Sequence, residues 1–489
     1  MKFTDFSGGM ADINVNLAPA NTVALALNVD LDSEIGSAVS RLGTARIGSQ
    51  LVAAVSVLGI VQHVDQADTT KNKLFATAND GASPTNSDIY DVSAGSKSLQ
   101  DDTHSLKTYF LNYAGDTLRL NGTDAPKAYD SSNWITTGGV FDLANMPTGY
   151  KYPKEFLSRV YLWGKTASPY TLVYSGTLTA GAVSWTSGNG TIEIEPEDNG
   201  GEATGLGKVP GYLLLFKRRS MTRWNFASAF PESLVQIGAY SQESIVEGGG
   251  LCAFYSDSNE AAKGFYITNG GRPVCISQDN NRPIKKWVDA ISSTAVVAGF
   301  ATDRYFCWSV GALTVDGETY SNVVLKYNRL LNQWTIRTYI SAFTCFANYV
   351  ASGVLSIVGG DNAGTVYQID KAATYKDANT TTTVGFQWKV RQLFHTYGEN
   401  RIKALDNKVV LRGKNLNTAR INGYTDDDLN RPIPVNASAI VKRILSWFGI
   451  GSTIRGTTIA LEVGGESVGA PCILREIDVP VITIEQNYG

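Results

Sequence analysis

The sequence predicts an all-β protein: a β-propeller of about seven blades, with six or eight as alternatives, followed by a β-sandwich-like domain. Three observations predict it. Between about Leu74 and Asp370 one unit recurs about seven times: an apolar or aromatic strand, a polar turn, then a second apolar strand. Examples are Leu74-Phe75-Ala76 with Asp88-Ile89-Tyr90, Val160–Trp163 with Leu172–Tyr174, and Leu355–Val358 with Val366–Ile369. The first strands begin near 74, 109, 160, 212, 252, 305 and 355, close to the spacing of roughly 40–50 residues expected for propeller blades. The composition agrees. The chain has 48 glycines, 10% aromatic residues and only 18% charged residues, against roughly 25% in ordinary soluble domains.

Taken in order, residues 1–50 read as an N-terminal arm with thinly spread apolar residues and many turn formers. Such arms become ordered by lying on a neighbour or on their own domain. Phe3, Phe6 and Leu17 are its candidate inter-subunit or adaptor contacts. Residues 51–375 form the propeller. Two copies carry a Tyr, a polar turn and a Trp: Tyr129-Asp130 before Trp134, and Tyr327-Asn328 before Trp334. These are hairpins whose aromatic rings pack between blades. Residues 175–210 interrupt the pattern with long loops, although Ile192 and Ile194 alternate with Glu193 and Glu195 as in a half-exposed strand.

The polar stretch 376–383 reads as a linker, and 376–489 as a C-terminal β-domain with one short amphipathic helix. Its strand signals are Val384–Val390, Lys408–Leu411, Thr458–Val463 and Val479–Ile484. The helix is expected near 440–449, where Ile440, Val441, Ile444, Leu445, Trp447 and Phe448 have helical spacing and Gly449 supplies a stop. Ile444, Trp447 and Phe448 are therefore candidates for a gate or partner-binding helix.

Catalytic chemistry finds little support. The three histidines, His63, His104 and His395, are far apart and lack metal-type partners. G-x-S-x-G, H-E-x-x-H and phosphate-loop motifs are absent from the sequence. Acidic clusters at 193–198 and 426–428 lie among turn formers, where adjacent carboxylates are usually solvated. The sequence thus assigns no enzyme activity, cofactor or metal site. Cys252, Cys275, Cys307, Cys345 and Cys472 form no C-x-x-C pair and read as buried free thiols, which fits a reducing compartment. The N-terminus has no apolar signal core, and the longest apolar stretch is too short to cross a bilayer, so no membrane insertion is expected. The net charge of −3 gives no global attraction to nucleic acid. The densest basic run, Lys217-Arg218-Arg219, sits at an expected hairpin turn and is the candidate contact for DNA phosphate or an acidic partner.

Several segments, in order, carry a family resemblance: "FSGGM", "NLAP", "ALNVDLD" and "SRLGT" in the first 50 residues, then "YPKEFLSRVYLWG", "YSGTLTAGAVSW", "GEATGLGKVPGYLLLFKRRSMTRWNF" and "LKYNRLLNQWTI". With them the chain resembles the tail-hub or nozzle proteins of short-tailed bacteriophages, and most of all the packaged-DNA stabilisation proteins below the head–tail adaptor. The match is weakest after residue 380. The resemblance implies a virion protein assembled in the host cytoplasm, in six copies forming a tube that continues the portal channel. Its implied partners are itself as a homo-hexamer, the portal–adaptor complex, a tail needle, spike or plug, and double-stranded DNA held in the lumen without sequence specificity. Retention of packaged DNA and transmission of the opening signal are the implied roles. The alternatives are a carbohydrate- or receptor-binding propeller of a tail, and a cytoplasmic scaffold.

Overall fold

The computed structural model describes the chain except for residues 1, 14–16, 19, 20, 35, 66, 81–85, 94, 105, 196–199, 227–229, 259, 260, 279–282, 352, 380, 381, 394–402, 406, 407, 426, 427, 436, 442, 443, 449–454, 457, 458, 468, 479, 480 and 484–489. Seven four-stranded antiparallel blades follow one another. Blades 1 to 6 span 57–104, 109–135, 152–193, 203–235, 246–275 and 298–338. Blade 7 takes three strands from 343–371 and its fourth, Gly43–Ile47, from near the N-terminus. The first and last strands of the propeller in chain order lie side by side in this blade, which fastens the ring. The inner strands of successive blades lie against one another, and the inner strand of blade 7 lies against that of blade 1. Thr344 Oγ1 donates to Val57 O at 2.6 Å across that last joint, and Gln62 exchanges two hydrogen bonds with the Val350 backbone at 2.8 and 2.7 Å.

The recurring sequence unit is mostly the second and third strand of each blade. In blade 2 the expected start at Tyr109 is instead the first strand, and the second begins at Asp116. Placing Asp116 in the series evens out the first two intervals. Apolar packing between blades follows the aromatic pattern. Phe75 of blade 1 meets Tyr129 and Trp134 of blade 2 at centroid distances of 4.8 and 5.2 Å. Phe265 of blade 5 meets Trp308 of blade 6 at 4.5 Å. The buried indoles of Trp308 and Trp334 donate to Ser244 O and Ile276 O, so each fills the core without stranding its N–H.

Beyond the outer strand of blade 6 the sheet continues. Val23–Leu27, Gln387–Gln392, Ile459–Glu466, Arg420–Thr425 and Asp428–Val435 extend it to nine strands. A second sheet contains Val29–Asp30, Ala38–Ser40, Ile473–Asp478, Lys408–Lys414, Ile444–Phe448 and Ala437–Val441, with Lys2–Phe3 paired onto Ile473–Asp478. Phe6, Val23, Trp388, Leu411, Ile421, Leu461 and Ile477 are among the side chains packed between the two sheets. Among the described residues of the N-terminal arm, Lys2–Phe3, Val23–Leu27, Val29–Asp30 and Ala38–Ser40 are strands of these two sheets, and Gly43–Ile47 belongs to the propeller. The amphipathic helix expected near 440–449 is also corrected. Ala437–Val441 and Ile444–Phe448 are antiparallel strands, with Val441 paired to Ile444 and Trp447 to Val409. β-Branched Ile440, Val441 and Ile444 favour strand, and apolar pairs on either side of two basic residues imitate helical spacing.

Buried ion pairs lock the two bodies together. The Arg337 guanidinium is 2.8 Å from Asp30 and 2.7 Å from Asp370, and Lys326 also reaches Asp30 at 2.6 Å. Burial pushes the Asp30 carboxyl up, but Arg337 and Lys326 outweigh it and hold the group well below the usual carboxylate range. Arg391 pairs with Glu462 at 2.7 Å, while Lys389 and Arg391 of the sandwich meet Glu318 at the tip of a long blade 6 hairpin.

Candidate interaction surfaces

Strand direction gives the disc two different faces. Hairpins joining strands one to two and three to four emerge on the hairpin face. Hairpins joining strands two to three, and the links between blades, lie on the linker face.

The propeller's own axis is bridged by side chains. Lys107, just before the inner strand of blade 2, donates to Thr344 O of blade 7 at 2.8 Å and lies 3.6 Å from Glu243, in the link entering blade 5. Tyr109 donates to the same carboxylate at 3.2 Å, and its ring packs on Tyr152 at 5.0 Å. Burial, then the Glu243 charge, raises the Tyr109 phenol well above its ordinary value, so it remains a donor. Nearer the hairpin face, Lys154 pairs with Glu247 at 2.6 Å and Lys208 with Glu155 at 2.7 Å. These contacts link non-adjacent as well as neighbouring blades.

The basic run is divided by its surroundings. Lys217 is buried, donates to Glu195 O at 2.5 Å and sits over the Tyr170 ring. Arg218 pairs with Asp257 at 2.7 Å, donates to Tyr240 O at 2.6 Å and lies over the Tyr240 ring. Only Arg219 of the three is exposed, on the linker face. Phe6 is fully buried and Phe3 partly buried against the sandwich core, whereas Leu17 is 74% exposed. Ile444, Trp447 and Phe448 lie on the strand described above, so no gate helix is present there.

His63 joins two blades. Its Nδ1 is 2.8 Å from Thr117 Oγ1 and its Nε2 is 2.9 Å from Ser131 Oγ. Thr117 donates to Asn112 Oδ1, so its oxygen accepts from Nδ1–H of the ring. Burial lowers the His63 pKa against the opposing pull of Asp65 and Asp130. The side chain of His104 and all of His395 lie outside the described residues, as do Pro196, Glu197 and Asp198 of the first acidic cluster and, of the second, Asp426, Asp427 and the side chain of Asp428. Glu193 accepts from Thr171 at 2.7 Å. Among the described residues no group of three or more His, Cys, Asp or Glu side chains could hold a metal ion, and no helix is long and apolar enough to cross a membrane.

Composition and repeat reading missed the hairpin face itself. Most of the exposed large apolar side chains among the described residues project there, including Leu157 (55% exposed), Phe230 (81%), Leu330 (63%), Val354 (65%) and Leu355 (62%). The available signal was apolar residues inside turn-forming stretches, as in Asn328-Arg329-Leu330-Leu331-Asn332. Between the first hairpins of blades 3, 4 and 5 the same face carries a pocket of about 490 Å³, with Phe156, Leu157, Val209, Pro210 and Leu251 on its walls.

These features define a class: an all-β, two-body protein in which a seven-bladed propeller and a sandwich share one sheet and the N-terminal segment. The chain matches no family model and no curated protein. Among solved structures it is similar to the WD40 domain of Neurospora crassa Pan2, with a TM-score of 0.38 and 9% identity, over 68% of this chain and 94% of that chain.

Proposed function

We propose that this chain is a structural subunit of a short-tailed phage tail, a hub or nozzle protein that assembles as a ring below the head–tail adaptor and encloses the path of packaged DNA. The observation that carries the reading is the bridged propeller axis. A disc whose centre is crossed by Lys107, Tyr109 and Glu243 offers no duplex-sized passage of its own. The DNA path in this reading is the lumen between copies. The interlocked architecture supports it, because a propeller and sandwich joined by one nine-stranded sheet transmit force as a single body. The sequence resemblance supports it too, since its N-terminal segments build both bodies. In this role the protein needs no catalysis and no cofactor. Arg219, repeated around the ring, is the remaining candidate for phosphate contact.

The test is electron microscopy of the purified chain mixed with portal–adaptor complexes. A six-fold ring docked on the complex is the expected result. A chain that ignores the complex under all assembly conditions, while binding a glycan or a cytoplasmic partner, overturns the proposal.

A further inference from the structure

We propose that the joint between the N-terminal segment and blade 6 is a binding site for one buried water molecule, held by Asp32, Lys326 and Thr335. The site starts from a polar stripe on the blade. Cross-strand partners in an antiparallel pair share a face. Tyr305, Asn328 and Gln333 therefore form one row of side chains, and Lys326 and Thr335 stand together in the next. Asp30 and Asp32 of the N-terminal segment meet these rows. Asp30 accepts from Lys326 at 2.6 Å, while Asp32 Oδ2 accepts from the Tyr305 hydroxyl and from Asn328 Nδ2, the latter at 2.9 Å. Between the segment and the stripe lies a cavity of about 10 Å³, lined by these residues. One water molecule needs roughly 10–15 Å³ on the same measure.

The lining specifies the occupant. Thr335 is 6% exposed, and its hydroxyl is buried with no hydrogen-bond partner in the protein. A hydroxyl held out of water without a partner is costly, and this one lines the cavity. Lys326 is 5% exposed. Its ammonium carries three protons. One goes to Asp30, and the group sits 3.7 Å from the centroid of the Tyr305 ring, which leaves a proton to give. Both bonds to Asp32 use Oδ2, which leaves Oδ1 to accept.

A water molecule completes this set. It accepts from Lys326 and from Thr335 and donates to Asp32, three bonds in all, the usual number for a buried water. A metal cation fits less well, because the Lys326 ammonium already brings positive charge to the same small space. The water joins a carboxylate of the N-terminal segment to two strands of blade 6, so it is part of how that segment is held. The site stands on the joint alone, and its test is separate from that of the nozzle reading.

The experiment compares the full chain with Thr335→Val, which keeps the shape of the side chain and removes the hydroxyl. Ser309 supplies the control: its hydroxyl, in the same blade, is also buried without a partner, but Ser309 does not line the cavity. In a dry cavity Thr335→Val removes a stranded polar group and raises the urea midpoint. With water bound it takes away one of the three bonds, so the midpoint falls and the unfolding constant rises roughly fivefold. That fall is the expected result, with Ser309→Ala leaving the midpoint unchanged or higher. Oxygen-17 relaxation dispersion of the solvent should count one long-lived water fewer in Thr335→Val than in the parent chain. A raised midpoint for Thr335→Val, equal falls in both variants, or an equal count of long-lived waters overturns the site. A midpoint that rises in sodium chloride over choline chloride at equal ionic strength, and loses that rise in Thr335→Val, assigns the cavity to a cation and overturns it too.

Discussion

The buried Arg41–Asp377 pair gives a direct test of how the N-terminal segment is held. Arg41 has a side-chain exposure of 0% and Asp377 of 3%. The guanidinium makes two bonds to the carboxylate at 2.8 and 2.6 Å, and also donates to Asn28 Oδ1, Leu42 O and Thr338 O. Its Cζ lies 4.2 Å from the centroid of the Tyr339 ring and 3.9 Å from that of Phe386. One side chain thus ties the N-terminal segment to the exit of blade 6, the exit of blade 7 and the entry to the sandwich. Arg41→Met keeps much of the packing and removes all five donated bonds, leaving a buried carboxylate alone. Breaking one partner of such a pair costs about 3–5 kcal/mol. The exposed pair Arg223–Glu232, in which Glu232 is 61% exposed, supplies the control. Its loss should cost no more than about 1 kcal/mol. Urea unfolding of Arg41→Met, Arg223→Met and the double variant Arg41→Met/Asp377→Leu measures both. The double variant should regain much of the loss, because no lone charge remains. If Arg41→Met costs about the same as Arg223→Met, the clasp does not hold the bodies together and the reasoning fails.

Other outcomes follow from the same contacts. His63 has a lowered pKa in the folded chain, so below about pH 6.5 the unfolded state binds more protons and stability falls as pH drops. The urea midpoint should decline between about pH 7 and pH 5, and His63→Gln should flatten that decline; an unchanged slope removes His63 as its source. Burial raises the thiol pKa of Cys252, Cys345 and Cys472 and pushes that of Cys307 up to about 12. Thiol reagents should therefore label the native protein chiefly at half-buried Cys275 and reach the rest only on unfolding, as mass spectrometry of timed labelling would show. Trp334→Ala removes a fully buried indole and its bond to Ile276 O, and should cost about 3–5 kcal/mol of unfolding free energy in a urea titration, with no loss of β-sheet signal in circular dichroism.

The second and third strands of the blades were legible because they alternate or run apolar between polar turns. Apart from Tyr109–Tyr113 of blade 2, the inner strands were not, for a reason rooted in their position. Near the axis backbones crowd, and glycine is needed: a Cβ on Gly59 would lie 2.3 Å from Thr108 O, and one on Gly299 would lie 2.5 Å from Val246 Cγ1. Glycine in a sequence reads as a turn, so these strands vanished into loops. Tyr152–Phe156 was hidden differently, by Pro153 and by Lys154 and Glu155, whose ion pairs are made with other blades. The same limit applied to Lys217-Arg218-Arg219. Charge density was visible, but Tyr170, Tyr240 and Asp257, which occupy two of the three, come from segments that only the fold brings near. The bridged axis depends on Lys107 meeting Glu243 and Thr344, and no local pattern encodes partners so far apart in sequence.

The placement of the first 50 residues has a consequence for how the chain folds. Gly43–Ile47 completes blade 7 by pairing with Val366–Lys371, and Val23–Leu27 sits between blade 6 and the sandwich, with Leu27 paired to Ile336 and Val23 to Gln392. Each of these contacts closes a loop of several hundred residues, so each forms late. Neither body can finish until the N-terminal segment finds its place. Without residues 1–50, blade 7 keeps three strands with an open edge, and the sandwich core loses Phe6, Val23, Val29 and Leu31. An exposed strand edge beside an open core is prone to self-association. A chain comprising 51–489 should therefore express as soluble aggregates or lose its cooperative transition, while adding residues 1–50 as a separate polypeptide during refolding should restore a native-like urea midpoint. Rescue needs no covalent link, only the strands themselves. A truncated chain that unfolds cooperatively at the midpoint of the intact protein would mean that the segment decorates two finished bodies rather than completing them.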